Sequence, residues 1–295
     1  MNSPPANPFS LRCRHLAGVV LLLAFAACSN LAAVREFAKT SAATADFAQI
    51  VTDYQLSPQR QLVYQLDEAT EHLRAIAETR KERAKRLLDC QKVVVDYMSA
   101  LGDLAADELT SVDSEIDGLT KALEDAKVIG EADSRISKET ASAAAAIAKV
   151  LARAALNGWR QGQVCKIVRE VDPHLQVALT GMLEVLDKDL RGSLQNERVA
   201  IEKRFGAWAA SAKANGDPDG APPISRVLMA ERVLAITRMQ EQLDRYLDVL
   251  RKIASGHRGL VEHREALTTD KAIAVIRAHS KDLQTLYKQI RILAN

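Results

Sequence analysis

Residues 57–107 read SPQRQLVYQLDEATEHLRAIAETRKERAKRLLDCQKVVVDYMSALGDLAAD. Two seams of this stretch advance by seven. One is Leu62, Ala69, Ile76, Arg83, Cys90, Tyr97 and Leu104; the other is Leu66, Leu73, Arg80, Leu87, Val94 and Leu101. Such spacing holds an apolar stripe against a neighbouring helix. Ser57 followed by Pro58 supplies an N-cap and a proline at the first helical position, so a helix is expected from Pro58 to about Asp107. At 1.5 Å per residue it would be roughly 70 Å long. Arg80 and Arg83 interrupt the seams where leucine is expected. A buried arginine without partners is costly. The seam there is therefore open to solvent or crossed by an acidic partner, or else the two arginines form an anion or partner contact.

The same periodicity extends outward in both directions. Leu31, Val34, Phe37, Ala38, Phe47, Val51 and Tyr54 lie along one side of a first helix. Beyond Leu104 the register breaks, and Val112, Ile116, Leu119, Leu123 and Ala126 form a new stripe, so a turn is expected near 105–113. An Ala-rich helix runs through Asn157. Asp172-Pro173 repeats the cap-plus-proline signal and opens another long helix whose apolar stripe runs Leu175, Leu179, Met182, Leu186, Leu190, Leu194, Ile201, Phe205 and Trp208. Residues 215–224 hold the clearest loop, rich in Gly, Asp and Pro. Ser225 is expected to cap a helix that Ser255-Gly256-His257 interrupts, and Thr269 or Asp270 to cap the last. No strand signal of any length is present. The fold expected is all-α: an elongated antiparallel helical bundle of five to seven helices with coiled-coil-like heptad segments. Residues 28–214 would form the bundle with its long helical hairpin, and 225–295 the C-terminal helices packing on it.

Composition agrees with this reading. The chain has 295 residues, 40 Lys+Arg against 38 Asp+Glu, 47% hydrophobic residues and 4% aromatics. That length builds a substantial core, while the scarcity of aromatics and Gly argues against a sandwich or barrel. Net charge near zero gives no global attraction to nucleic acid. Charge is nevertheless segregated: 103–133 carries ten acidic and two basic residues, and 74–92 seven basic and three acidic. A hairpin turning near Leu109 would set these blocks side by side and fix its register by charge.

The N-terminus sets the compartment. Arg12, Arg14 and His15 precede the apolar run Leu16 to Ala27, the order of a secretory signal and too short for a permanent span. The run ends Phe25-Ala26-Ala27-Cys28, which resembles the lipobox of bacterial lipoproteins, with Phe25 standing where Leu is usual. The resemblance covers this segment alone. It implies a signal peptide over residues 1–27 and cleavage before Cys28. It also implies acylation of Cys28 by fatty acids such as palmitate and, with Ser29 next, anchorage in the outer membrane facing the periplasm. Ala24-Phe25-Ala26 also fits ordinary signal cleavage, which would give a soluble periplasmic or secreted protein. Arg12 and Arg14 are the only charged residues before Cys28, so the chain beyond it is balanced, 38 against 38.

Little in the remainder points to chemistry. His72, His174, His257, His263 and His279 form neither H-x-x-x-H nor H-E-x-x-H, and none follows a Glu by three, so no metal site or cofactor is expected. There is no G-x-S-x-G and no phosphate-cradling Gly loop, and no catalytic residue is assigned. Cys90 and Cys165 are the thiols left after Cys13 and Cys28; an oxidising envelope permits a disulfide between them, and two buried packing residues are the alternative. The expected function is a membrane-anchored, non-catalytic helical scaffold or interaction module, contacting a protein partner or self-associating through its helices, with no nucleic acid. Alternatives are a helical-bundle sensor of a small anionic ligand at Arg80 and Arg83, and a membrane-permeabilising helical protein.

Overall fold

A computed structural model of the chain describes residues 32–65, 70–106, 138–156, 163–217, 220–264 and 269–294. Those residues are helical almost throughout and contain no strand. Helix α1 covers 32–45, α2 Gln49–Leu62, α3 Thr70–Leu104, α4 Lys138–Leu156 and α5 Val164–Val185. A π-helical turn, Leu186–Leu190, joins α5 without a break to α6, Arg191–Ala214; α7 is Ala221–Glu262 and α8 Asp270–Ala294. Counting α5 and α6 as one rod, the described residues form seven rods. Cys28 and the acidic stretch 107–137, with the hairpin expected there, lie outside the described residues.

Contacts along the rods fix their directions. Arg80 meets Asp189 and Ser193, while Tyr97 meets His257, which meets Asp172. The chain of α3 thus runs opposite to α5–α6 and alongside α7. Arg191 pairs with Asp244 at 2.7 Å and Ser225 with Phe205 farther along α6, so α7 runs opposite to α6. Lys252 pairs with Asp282 at 2.7 Å and Gly256 adjoins His279, so α8 runs opposite to α7. The bundle is therefore antiparallel, and the C-terminal helices share its core: Leu243, Tyr246, Leu250, Ile276, Leu283 and Ile290 belong to one buried cluster with Leu87, Tyr97, Leu175 and Leu179.

The heptad seams of α3 face this core. Leu73, Arg80, Leu87, Val94 and Leu101 are all buried, as are Cys90, Tyr97 and Leu104. Towards the end of α3 burial spreads to Gln91, Val93, Met98 and Ala100, because α1, α4, α5 and α7 converge there. Two close approaches set helix spacing. A Cβ on Gly256 would run into the Phe37 ring, and one on Gly181 into the Thr140 hydroxyl. Glycine at these positions lets α1 rest on α7 and α4 on α5.

Several expected boundaries move. The helix expected from Leu31 to Tyr54 breaks at 46–48 into α1 and α2. Pro58 does not start a helix; it lies inside α2, and α3 begins at Thr70, giving a rod of about 52 Å. Pro173 likewise lies inside α5. The longest rod is 164–214, about 77 Å at 1.5 Å per residue. Ser225 is inside α7, where its hydroxyl donates to the Phe205 carbonyl at 2.6 Å. Residues 255–257 do not interrupt α7. The loop after Ala214 turns at Gly216, whose φ of 85° suits glycine. Thr269 caps α8 as expected, its Oγ1 accepting from Ala272 N at 3.4 Å.

Candidate functional site: a polar seam, a buried relay and a projecting arm

Three features of this bundle exceed what packing needs. The first surrounds Arg80. Pro58 has no N–H, so the Tyr54 carbonyl loses its helical donor. Arg80 Nη1 reaches across from α3 and donates to that carbonyl at 3.3 Å, and also to Ser57 Oγ. Its Nη2 donates to the Asp189 carbonyl at 3.2 Å and to Ser193 Oγ. Asp189 lies in the π turn, a geometry that loosens the helical engagement of backbone groups. The guanidinium also stacks 4.8 Å from the Tyr54 ring centre. Burial lowers the Arg80 pKa, with Tyr54 and Asp189 opposing. Around it, Arg60 Nε donates to both Glu197 oxygens, at 3.0 and 3.2 Å, and Gln61 donates to the Ser193 carbonyl at 3.1 Å. Burial raises the pKa of Glu197 and of Asp53, with Arg60 opposing each.

Arg80 is thus buried and bonded by its own chain, neither open to solvent nor met there by a carboxylate; backbone carbonyls and hydroxyls take that place. Arg83 is different. Its Nη1 stands 3.8 Å from Asp189 Oδ2, and its buried Nε makes no hydrogen bond. Beside it opens a cleft of about 420 Å³ lined by His72, Ala75, Ile76, Thr79, Arg80, Arg83 and Asp189. The sequence alone brings Arg80 and Arg83 onto one helix; the fold gives them different surroundings.

The second feature is a relay that sequence reasoning missed. His257 Nδ1 lies 2.8 Å from Asp172 Oδ1, and Tyr97 Oη lies 2.6 Å from His257 Nε2. A carboxylate only accepts, so Nδ1 carries the proton and Nε2 accepts from the Tyr97 hydroxyl. Gln176 also donates to Asp172 Oδ1, at 3.0 Å. Burial lowers the His257 pKa, opposed by Asp172. Burial also lifts the Tyr97 pKa well above its usual value. The arrangement resembles a nucleophile–base–orienter chain, but Tyr97 and His257 are fully buried and present no atom to a substrate. It ties α3, α5 and α7 together. Its members are 160 and 85 residues apart in pairs, and no local spacing announces them.

The third feature is an arm. Beyond Ile201 and before Gln242, α6 and α7 leave the body as a two-helix hairpin; among the described residues of 202–241, Ser225 and Ile236 alone are buried. Tyr64 touches Phe205 at its base, ring centres 6.3 Å apart. Val227 is 60% exposed, Ile224 54%, Leu234 53% and Trp208 41%; Ile224 and Trp208 lie beyond the Phe205–Ser225 contact, Val227 and Leu234 on its body side. The arm points away from α1. Phe37 of α1 rests on Gly256, and Ile224 is 32 residues from Gly256 along the unbroken α7, about 48 Å.

Cys90 and Cys165 are both free thiols. Cys90 is buried, which pushes its pKa up to about 12; Cys165 is exposed, its Sγ 3.9 Å from the Arg264 carbonyl. Among the described residues no group of three or more His, Cys, Asp or Glu could hold a metal ion. No helix there is long and apolar enough to cross a membrane. The fold and its surfaces define an all-α bundle with a projecting helical hairpin. Comparison with family models, curated proteins and solved structures finds no match.

Proposed function

We propose that the chain is a lipid-tethered, non-catalytic scaffold of the bacterial cell envelope that holds helical contact surfaces away from its anchor for a partner protein. The observation that carries this reading is the arm. Among the described residues between Ile201 and Gln242 only Ile236 joins the core cluster, with Phe205, Met229, Val233 and Met239 partly buried against it, and exposed large apolar side chains such as Trp208, Ile224 and Val227 mark contact surfaces. Cys28 lies four residues before α1, and α1 packs at the end of α7 opposite the arm. An anchor there and a contact on the arm would be separated by tens of ångströms of rigid helix. A second open surface is the groove of about 680 Å³ between α7 and α8, lined by Arg245, Asp248, Arg251, Lys252, Asp282 and Gln289 among others. Its alternating charges suit a charged helix or peptide.

The anchor is tested by labelling cells with radioactive palmitate: label is expected on the wild-type chain and absent from Cys28→Ala. Label retained on that variant, or absent from both, would overturn it. The partner is sought by photo-crosslinking in the native envelope from positions 227 and 248; expected is a discrete adduct from at least one of them. No adduct at either position rejects the scaffold reading.

The cleft beside Arg83 favours a second reading, a binder of small anions, because a polar opening adjoins a buried guanidinium nitrogen without a hydrogen bond. Asp189 in the same cleft opposes it electrostatically. A rise in melting temperature with inorganic phosphate or citrate, abolished by Arg83→Gln, is its expected signature. The absence of any rise at millimolar anion removes it.

A further inference from the structure

We infer that the cleft beside Arg83 binds an acidic α-amino acid, with a carboxylate on Arg83 and the ammonium on Asp189. This rests on the reading of that cleft as a ligand site and names the ligand class.

Two elements build the cleft. His72, Ile76, Thr79 and Arg83 follow one another on α3 at steps of four, three and four, so they share one face. Across from them stands Asp189, in the π-helical turn that joins α5 to α6. Single π turns inside longer helices recur at functional sites. The space between the two walls is about 420 Å³, within the roughly 300–1,000 Å³ of small-molecule sites.

The two arginines of the cleft differ in what they have left to offer. Arg80 commits both terminal nitrogens to its own chain, to the Tyr54 and Asp189 carbonyls and the Ser57 and Ser193 hydroxyls. Arg83 Nη1 stands 3.8 Å from Asp189 Oδ2, wider than the roughly 2.7–3.2 Å of an N–H···O hydrogen bond. These two atoms therefore attract each other without a hydrogen bond between them. The Arg83 side chain keeps 21% of its exposure and that of Asp189 11%, so both charges reach the cleft while burial shields them from salt.

Chemistry then selects the ligand. A plain anion is repelled by Asp189, and a plain amine by the guanidinium groups. In an α-amino acid the amino nitrogen and the carboxylate carbon lie about 2.5 Å apart, from the N–Cα and Cα–C bond lengths. Its opposite charges thus stand side by side and face the Arg83–Asp189 pair charge for charge. A carboxylate offers about four acceptor sites, so Asp189 serves an ammonium as well as Arg83. Thr79 Oγ1 donates to the Ala75 carbonyl at 3.0 Å and retains lone pairs for the same ammonium. The lining holds two guanidinium groups against one carboxylate, and a side-chain carboxylate on the ligand balances that excess. Ala75 and Ile76 give its methylenes an apolar wall.

The test is calorimetric titration of the full-length protein with glutamate, glutarate, alanine and phosphate at neutral pH and low salt. Glutarate keeps both carboxylates of glutamate and lacks the amino group; alanine lacks the second carboxylate. Expected is saturable binding of glutamate, with glutarate and phosphate weaker about tenfold or more and alanine weaker as well. Asp189→Asn removes both the partner of the ammonium and the repulsion of a plain dicarboxylate, so it should reverse the order of glutamate and glutarate. Arg83→Gln should abolish binding of both. The four ligands compared on the wild-type chain decide the question even where a variant melts early. Glutarate or phosphate binding as tightly as glutamate overturns the amino-acid inference and keeps the anion site. Alanine binding as tightly as glutamate overturns the acidic class. Glutamate binding unchanged in both variants places the ligand elsewhere and overturns the inference. No heat and no rise in melting temperature with any of the four at millimolar concentration rejects the ligand site altogether.

Discussion

Pro58 and Arg80 act as one unit, although 22 positions separate them. The proline deletes a helical donor, and the arginine, at 3.3 Å, and the Ser57 hydroxyl, at 3.2 Å, replace it. Arg80→Met leaves the Tyr54 carbonyl and two hydroxyls without their guanidinium, and should cost about 2–4 kcal/mol. Pro58→Ala restores an N–H beneath that carbonyl. In the Arg80→Met background it should therefore recover more stability than in the wild type, with a coupling of about 0.5–1 kcal/mol. Additive losses in a denaturant double-mutant cycle would refute the link. At the relay, Tyr97→Phe removes the donor to a fully buried His257 Nε2 and should cost about 1–3 kcal/mol. The pH dependence follows from the lowered His257 pKa. The unfolded histidine, with a pKa of about 6.5, binds a proton more readily than the folded one. Stability is then greatest above that value and falls as pH drops from about 7 through 6.5 towards the lower folded pKa. His257→Gln should flatten the melting-temperature profile over this window; an unchanged slope would show that His257 does not contribute. These partners escape sequence reasoning because each hydrogen bond spans different helices.

At the scale of the element, proline and glycine mislead when read as local punctuation. Ser57-Pro58 and Asp172-Pro173 both carry a helix-start signature, yet both lie within helices. The reason is tertiary. Arg80 supplies the missing donor at the first, and at the second Asp172 turns its carboxylate to His257 instead of capping. Gly256 similarly looks like a break and is a contact. Gly256→Ala must displace Phe37 and should destabilise by about 1–3 kcal/mol. Gly259→Ala, three residues along, meets nothing within 4 Å and should stabilise by about 0.5–1 kcal/mol through helix propensity. Equal effects of the two in thermal melts would show that the α1–α7 approach does not set the cost. The heptad stripe of α3 is legible because burial of a helix face repeats with the helix; its widening near Met98 is not, since it depends on how many neighbours converge.

Across the whole molecule, one helix serves two environments. The second half of α7 lies in the core, with Leu243, Tyr246, Leu247, Leu250 and Ile253 buried, while its first half forms the arm. Local opening free energy follows buried contacts. Amides of 226–234 should therefore exchange with deuterium well before those of 243–253, although both belong to α7. Uniform protection along the helix in exchange mass spectrometry would contradict a weakly held arm. Substitutions at Val227 or Leu234 should shift stability by no more than about 0.5 kcal/mol, which separates contact from folding in any functional assay.

Amphipathic spacing dictates the all-α class, the long α3 stripe, the loop after Ala214 and the start of α8, because each depends on residues within a few turns of one another. The amino-acid order at 203–230 also holds the tryptophan and the exposed aliphatic side chains of the arm, but nothing local says that these helices leave the core. That is decided by how far α2 and the residues after it reach along α6, where Gln61 meets Ser193 and Tyr64 meets Phe205. The pairing of Arg80 with the Tyr54 carbonyl, the Tyr97–His257–Asp172 relay and the rest of Phe37 on Gly256 are likewise products of packing, since they join helices whose separation in sequence carries no periodic signal.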